Sequence, residues 1–340
     1  MSYRNFLIKA KENLNQSNIF CKEGKPQYYI YDEKLGWKLN KNCKHNSLPY
    51  STDSDGNRKS NSTKKKNLMN LLLIGDSMVH GDEVADQDTW SFFLSQKIKK
   101  EFNLINLGVS GYGNDQAFLH FKNYQKKNNN TKIAIFCFNS GNELRNINIQ
   151  RSFLNKNVDF IYLKPIFVFK KKKLLLIEPP KNKYKNYFDY LNSSSVRKNL
   201  KKYDFFYPNR LNNLILYFLE KLHLTSSYNK FLFFNKKTKL NLTFEIFKLF
   251  KLFCHKKKIK PIILFLPKVK GQFKNDKNLI YLKDKVKDLD ILNYYPKKSF
   301  YDNNNRPINS YYCEKNHYSI SGGKVLADLV FKYLKKNKVF

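Results

Sequence analysis

Residues 70–81, NLLLIGDSMVHG, read as a buried strand that breaks into a polar loop at Gly75-Asp76-Ser77. The apolar run is continuous, as expected of a strand covered on both faces. A serine at its end has two readings. It can cap a plain strand-to-helix turn, or it can be a nucleophile held at the rim of a parallel sheet. The residues on either side of this stretch decide between them.

Downstream, Trp90, Phe93, Leu94, Ile98 and Phe102 recur at helical spacing after an N-cap at Asp88 or Thr89. LINLG (104–108) is a second strand, NDQAFLHFKNYQKK (114–127) a helix, and KIAIFCF (132–138) a third strand running into NSGNELRN. Regularity lapses over 151–240, where PIFVFKKKKLLLIEPP (165–180) reads as a hairpin and RLNNLILYFLEKLHL (210–224) as a helix. A long helix follows, with Phe244, Phe247, Leu249, Phe250 and Phe253 too crowded for a narrow stripe, so it is expected to be well buried. KPIILFLP (260–267) is the fourth strand, ILNYY (291–295) the fifth, and the last helix opens after Ser321-Gly322. Strands alternating with helices specify an α/β domain with a mainly parallel sheet. Residues 151–240 are expected to be an insertion on one rim of it. Residues 1–66, polar and lysine-rich, form an N-terminal extension.

The chain has 340 residues, 41% of them hydrophobic and 16% aromatic, too apolar for a disordered chain despite its charge of +37. Such a charge invites a polyanion-binding reading. Only seven of the 64 basic residues are arginine, however, so forks for phosphate and base recognition are few. Lysine, asparagine, isoleucine, phenylalanine and tyrosine all abound and share A/T-rich codons, and base composition accounts for the lysines without a ligand. No specific nucleic-acid partner is expected. The five cysteines, Cys21, Cys43, Cys137, Cys254 and Cys313, are widely spaced and form no CxxC pair, which supports neither a disulfide framework nor a zinc site. The N-terminus lacks the apolar stretch of a secretory signal, and the apolar runs are strand-sized. The expected location is cytoplasmic, with no transmembrane segment.

Ser77 becomes a nucleophile only with a base in reach and donors for an oxyanion. The α/β-hydrolase elbow, G-x-S-x-G, fails because position 79 is valine. The later loops nevertheless supply the missing parts in order. NLGVSGYGNDQ carries Gly111, whose backbone N–H can approach an anion closely. FNSGNELRN carries Asn142, a neutral side-chain donor. CEKNHYSISGG carries His317 just before the final helix, with Glu314 at a spacing that could orient the ring across a turn. Ser77, Gly111 and Asn142 each follow a successive strand, so a parallel sheet would bring them to one edge.

On these residues the chain resembles the SGNH (GDSL) hydrolase superfamily of esterases, lipases and carbohydrate deacetylases. IGDSMVHG matches the first block, GVSGYG the second, SGNEL the third and EKNH the fifth, over roughly residues 68–340. The resemblance implies a three-layer α/β/α sandwich with a mainly parallel five-stranded sheet, flavodoxin-like in its SGNH form. It implies Ser77 as nucleophile, His317 as base and Glu314 as its orienting acid. The backbone of Ser77, the backbone of Gly111 and the amide of Asn142 would form the oxyanion hole. No cofactor and no metal are implied, and the reaction would be hydrolysis or acyl transfer on an ester. The lead-in YDEKLGW … STDSDGNR also resembles that of bacterial SGNH-type proteins linked to surface polysaccharides, which puts an O-acyl group of a carbohydrate first among substrates. Two departures stand out: Asn142-Glu143 replaces the usual Asn-Asp, and Glu314 replaces the aspartate of Asp-x-x-His.

Other candidates are weaker. His80 could serve Ser77 as base but is expected to line the loop or start the helix, and His120 lies mid-helix among Phe118, Leu119 and Phe121. His45, His223 and His255 lack acidic or cysteine neighbours at ligand spacing. Asp82, Glu83, Asp86 and Asp88 are read as capping and complementing the dipole of the next helix. The rival functions are a non-catalytic carbohydrate- or partner-binding protein of the same fold and a polyanion-binding protein.

Overall fold

Leu71, Leu72, Leu73 and Ile74 are each fully buried, as a strand sandwiched between two helical layers must be. They belong to a computed structural model that describes residues 3–16, 27–45, 47–60, 64–154, 161–171, 173–207, 236–269, 277–304 and 306–340. The helix expected over 210–224, and Cys21, lie outside the described residues. In chain order the described strands are Tyr29–Asp32 (β1), Gly36–Leu39 (β2), Met69–Gly75 (β3), Phe102–Gly108 (β4), Thr131–Asn139 (β5), Ile166–Lys170 (β6), Lys173–Ile177 (β7), Lys260–Leu266 (β8) and Leu292–Tyr294 (β9).

The chain divides into two compact units. One takes in Met1–Lys25, Tyr29–Trp37 and Glu143–Glu245; the other takes in Pro26–Tyr28, Lys38–Asn142 and Ile246–Phe340. The first holds the antiparallel hairpin β6–β7 read from the sequence, with Ile166 opposite Ile177. It also holds the helices Tyr187–Asn192 and Ser194–Tyr203, each started by a side-chain cap, from Asn186 and Ser193.

The second unit contains the five-stranded sheet, in the order β4-β3-β5-β8-β9 and parallel throughout. It is the α/β architecture expected from the alternation of strands and helices. Successive side chains alternate between its faces. Leu71, Leu73, Ile135, Cys137, Ile262 and Leu264 pack with the helices Trp90–Ile98 and Ile320–Lys336 through Leu94, Ile98, Leu326 and Val330. On the opposite face Phe136 meets Phe247 and Phe250 of the helix Lys236–Lys256, and Phe121 of the helix Asn114–Lys127 meets Phe250 and Phe253. That explains the crowded phenylalanines of the long helix, although Leu252 on its outer side stays exposed.

Edge strand β4 is covered rather than open. Arg58 bridges Asn106 in antiparallel fashion, and the Ser60 hydroxyl donates to the Leu104 carbonyl. An occupied edge offers no template for another chain. At the end of β4, a Cβ on Gly108 would lie 2.2 Å from the His80 nitrogen, so only glycine lets the short helix after β3 pack there. The strand order reverses at β3, whose neighbours are β4 and β5. The crevice beyond such a reversal is where open parallel sheets place ligands. Among the described residues no helix is long and apolar enough to cross a membrane.

Candidate active site

Ser77 opens the four-residue helix Ser77–His80 directly after β3, with Asp76 as its cap. One Asp76 oxygen accepts the Met78 N–H at 3.0 Å. The other accepts the side-chain amides of Asn139 at 3.2 Å and Asn142 at 3.1 Å. Asp76 and Asn142 are both buried, so these bonds compensate the loss of water. One carboxylate thus caps the serine's helix and fastens Asn142, from the loop after β5, beside it.

Gly111 lies in the turn after β4 with φ +82°, a left-handed conformation that suits glycine. Its neighbour Ser110 donates from its hydroxyl to both oxygens of Asp82, at 2.7 and 2.9 Å. The turn carrying Gly111 is thereby tied to the loop that follows Ser77.

His317 closes the arrangement. Its Nε2 lies 2.9 Å from Ser77 Oγ and its Nδ1 lies 2.6 Å from Glu83 Oε2. A carboxylate only accepts, which assigns the proton to Nδ1 and leaves Nε2 free to accept from the serine. Glu83 also accepts the backbone N–H groups of Lys315 at 2.8 Å and His317 at 3.2 Å, so it grips the whole histidine loop.

Glu83 is itself held under constraint. Its φ is +73°, unusual for a residue with a side chain. The Tyr50 hydroxyl accepts its N–H at 2.5 Å, and the Arg58 guanidinium donates to the next carbonyl, that of Val84, at 2.9 Å. Arg58 Nε sits 3.0 Å from Asp86, which also accepts from the backbone and hydroxyl of Ser51. Neighbours on both sides of Glu83 therefore fix the conformation that its own backbone would not favour.

Two expectations are corrected here. Glu314 does not orient the ring: it is exposed and has no hydrogen bond to His317. The turn closes through the Cys313 N–H donating to the His317 carbonyl and the Asn316 N–H donating to that of Cys313, which puts Glu314 and Lys315 at its exposed tip. The acidic run after Ser77 is not a capping cluster either. Thr89 caps the helix Trp90–Ile98, while Asp82, Glu83 and Asp86 have the specific partners described above. Sequence reasoning missed Glu83. The available signal was a carboxylate in the loop after the nucleophile, on the strand end where the site was expected.

His80 ends the short helix and is fully buried. Its Nε2 lies 2.8 Å from the Tyr28 hydroxyl and its Nδ1 2.6 Å from Asp82 Oδ1. Burial holds its imidazole below the usual histidine range, with Asp82 opposing. Burial pushes the Asp82 carboxyl up, but the rings of His80 and His317 and the Ser110 hydroxyl outweigh it and hold the group at about 2. The second oxygen of Asp82 lies 4.0 Å from His317 Nε2.

A hydroxyl bonded to an imidazole whose far nitrogen meets a carboxylate can pass its proton to the ring as it attacks an acyl carbon. Two clefts among the described residues have linings that do not include Ser77, Glu83 or His317. One, of about 230 Å³, is lined by Asp53, Arg58, Lys64 and Asn106; the other, of about 320 Å³, is lined by Ile147, Phe167, Lys202 and Phe205.

No family model and no curated protein matches the chain. Among solved structures it is similar to a GDSL-like lipase from Bacteroides thetaiotaomicron, at 11% identity over 82% of this chain and 93% of that one, with a TM-score of 0.41. It is similar to the acetyl xylan esterase AlAXEase, at 10% identity over 78% and 98%, with a TM-score of 0.43. The acetylxylan esterase Axe2 from Geobacillus stearothermophilus is similar at 10% identity over 81% and 96%, with a TM-score of 0.37.

Proposed function

We propose that the protein is a serine esterase that works through an acyl-enzyme. The observation that carries this is the string Ser77 Oγ–His317 Nε2, 2.9 Å, and His317 Nδ1–Glu83, 2.6 Å. His317 takes the proton from Ser77 as Oγ bonds to the ester carbon, then gives it to the departing alcohol. Water repeats the sequence on the acyl-enzyme and releases the acid. Glu83 holds the imidazole in the competent tautomer and balances the imidazolium.

The N–H groups of Ser77 and Gly111 and the amide of Asn142 are the proposed donors to the oxyanion. Asn142 gives one amide bond to Asp76, which fixes the group while leaving its second N–H for an incoming ligand. The resemblance of the four sequence blocks and of the lead-in segment puts an O-acyl group on a carbohydrate first among substrates. No step requires a metal or an organic cofactor.

A short-chain aryl acetate and an O-acetylated oligosaccharide test this reading. Both are expected to be hydrolysed, and an organophosphonate is expected to add its mass at Ser77. Ser77→Ala should abolish turnover and labelling together. Wild-type rates in that variant would remove the nucleophile from the mechanism.

A further inference from the structure

His317 has a carboxylate on each side of its ring, and only one of them belongs to the relay just described. Glu83 meets Nδ1, while Asp82 Oδ2 stands 4.0 Å from Nε2, the nitrogen that faces Ser77. Resting on the esterase reading, we propose that Asp82 is a positioning residue that acts on His317: its charge steadies the imidazolium from the Nε2 side, and His80 and Tyr28 hold it there.

When Ser77 attacks, its O–H bond breaks and an N–H bond forms at Nε2, so positive charge appears on the ring between two carboxylates. Glu83 is already hydrogen-bonded to Nδ1. Asp82 is not bonded to Nε2 in the resting state, where that nitrogen accepts from Ser77. It comes into play once Nε2 carries a proton and must keep it until the alcohol leaves. A carboxylate at this distance favours the charged ring over the neutral one.

The surroundings of Asp82 fit this purpose. Tyr28 donates to His80 Nε2, and His80 turns Nδ1 to Asp82 Oδ1 from a fully buried position. Ser110 supplies the remaining donor, to both oxygens. The donors from His80 and Ser110 favour the ionised carboxylate against the burial that opposes it, and its side chain is 20% exposed. Behind this string lie the ring of Tyr50, edge-on to His80 at 5.1 Å, and the Arg58 guanidinium 4.2 Å above that ring. Simple fastening of the Gly111 turn would need only an acceptor for Ser110. A fully buried histidine turned to that carboxylate, with a tyrosine hydroxyl on the far side of its ring, goes beyond that need.

The experiment compares Asp82→Asn and Tyr28→Phe with wild type on an aryl acetate, with circular dichroism as the check of folding. Asparagine keeps an acceptor for Ser110 and the shape of the side chain but carries no charge. We expect kcat to fall about 10- to 100-fold with KM little changed. The defect should appear in kcat and not in KM, a split that loosening of the fold alone would not single out. Tyr28→Phe deletes one hydroxyl and should lower kcat about 3- to 10-fold at constant KM. A folded Asp82→Asn enzyme with unchanged kcat would overturn the proposal. If that variant does not fold, unchanged kcat in Tyr28→Phe overturns it instead. Ser77→Ala, run alongside, separates the two levels: wild-type rates there defeat the esterase reading, whereas lost turnover there with unchanged kcat in Asp82→Asn defeats the Asp82 proposal alone.

Discussion

His317 and Glu83 meet at 2.6 Å across 234 residues of chain, whereas Glu314, in the same turn as the histidine, makes no bond to the ring. The local candidate lost because the turn is closed by its own backbone, with its tip exposed. The distant one won because Glu83 collects two backbone N–H groups of that turn as well as the ring nitrogen.

Exchanging the two carboxylates for amides should therefore give opposite results. Glu83→Gln is expected to cut kcat by about 10²–10⁴ with the fold retained, since an amide preserves shape but cannot balance an imidazolium. Glu314→Gln should stay within about twofold of wild type, as an exposed residue without a partner in the site. Steady-state kinetics on one ester decides the matter, and a severe defect in the Glu314 variant would reverse the assignment.

Asn142 is both the proposed oxyanion donor and a donor to Asp76, and one substitution removes the two together. Asn142→Ala should lower kcat by about 10²–10³, the scale of one lost oxyanion donor. It should also destabilise the fold by about 1–3 kcal/mol, because the buried Asp76 carboxylate loses a donor at 3.1 Å. Urea unfolding beside kinetics measures both. A kinetic defect with no change in stability would mean that the bond to Asp76 contributes nothing.

Tyr50 meets the backbone of Glu83 through its hydroxyl and packs edge-on against His80 through its ring. Tyr50→Phe strands the Glu83 N–H, now accepted at 2.5 Å, and loosens a residue at φ +73°. We expect kcat to fall by less than about 100-fold, and less than in Glu83→Gln, because the carboxylate is still present but less well aimed. A crystal structure of the variant should show the peptide of Glu83 turned or the loop displaced.

Asp82 also links stability to pH. Its carboxyl is depressed in the folded chain from 3.8 to about 2, so its contribution is complete above about pH 4 and is lost as pH falls through about 2. The contribution is worth up to about 2 kcal/mol at neutral pH. Asp82→Asn should accordingly lower the urea midpoint at pH 7, and the gap to wild type should close on acidification toward pH 2. A gap independent of pH would trace the loss to shape rather than charge.

The sheet was legible because its signal is local. The runs around Leu71–Ile74, Ile133–Phe138 and Ile262–Leu266 are apolar on both faces, and only a strand buried on both sides needs that. The β6–β7 hairpin announced itself through two short apolar runs about a lysine turn. Ser77 and His317 were legible as motifs, and the structure places their side chains in contact. Glu83 was not legible, because its role depends on a backbone angle and on a contact across most of the chain, neither of which spacing encodes. The Asp76–Asn142 bond was hidden for the same reason: it joins the ends of two adjacent strands that are distant in sequence. Between Ser77 and Glu83, the nearest carboxylates look alike on paper, and only the fold distinguishes them.

The 240 residues between Ser77 and His317 also have a consequence during translation. Ribosomes extend a chain from its N-terminus at roughly 5–20 residues per second, so the hydroxyl is made roughly 10–50 s before the imidazole that would activate it. On the proposed mechanism, the nascent polypeptide carries an ordinary serine throughout that interval. A message that terminates before codon 317 would leave a fragment with its nucleophile in place and no chemistry. On the proposed mechanism, reactivity waits for the segment that carries His317.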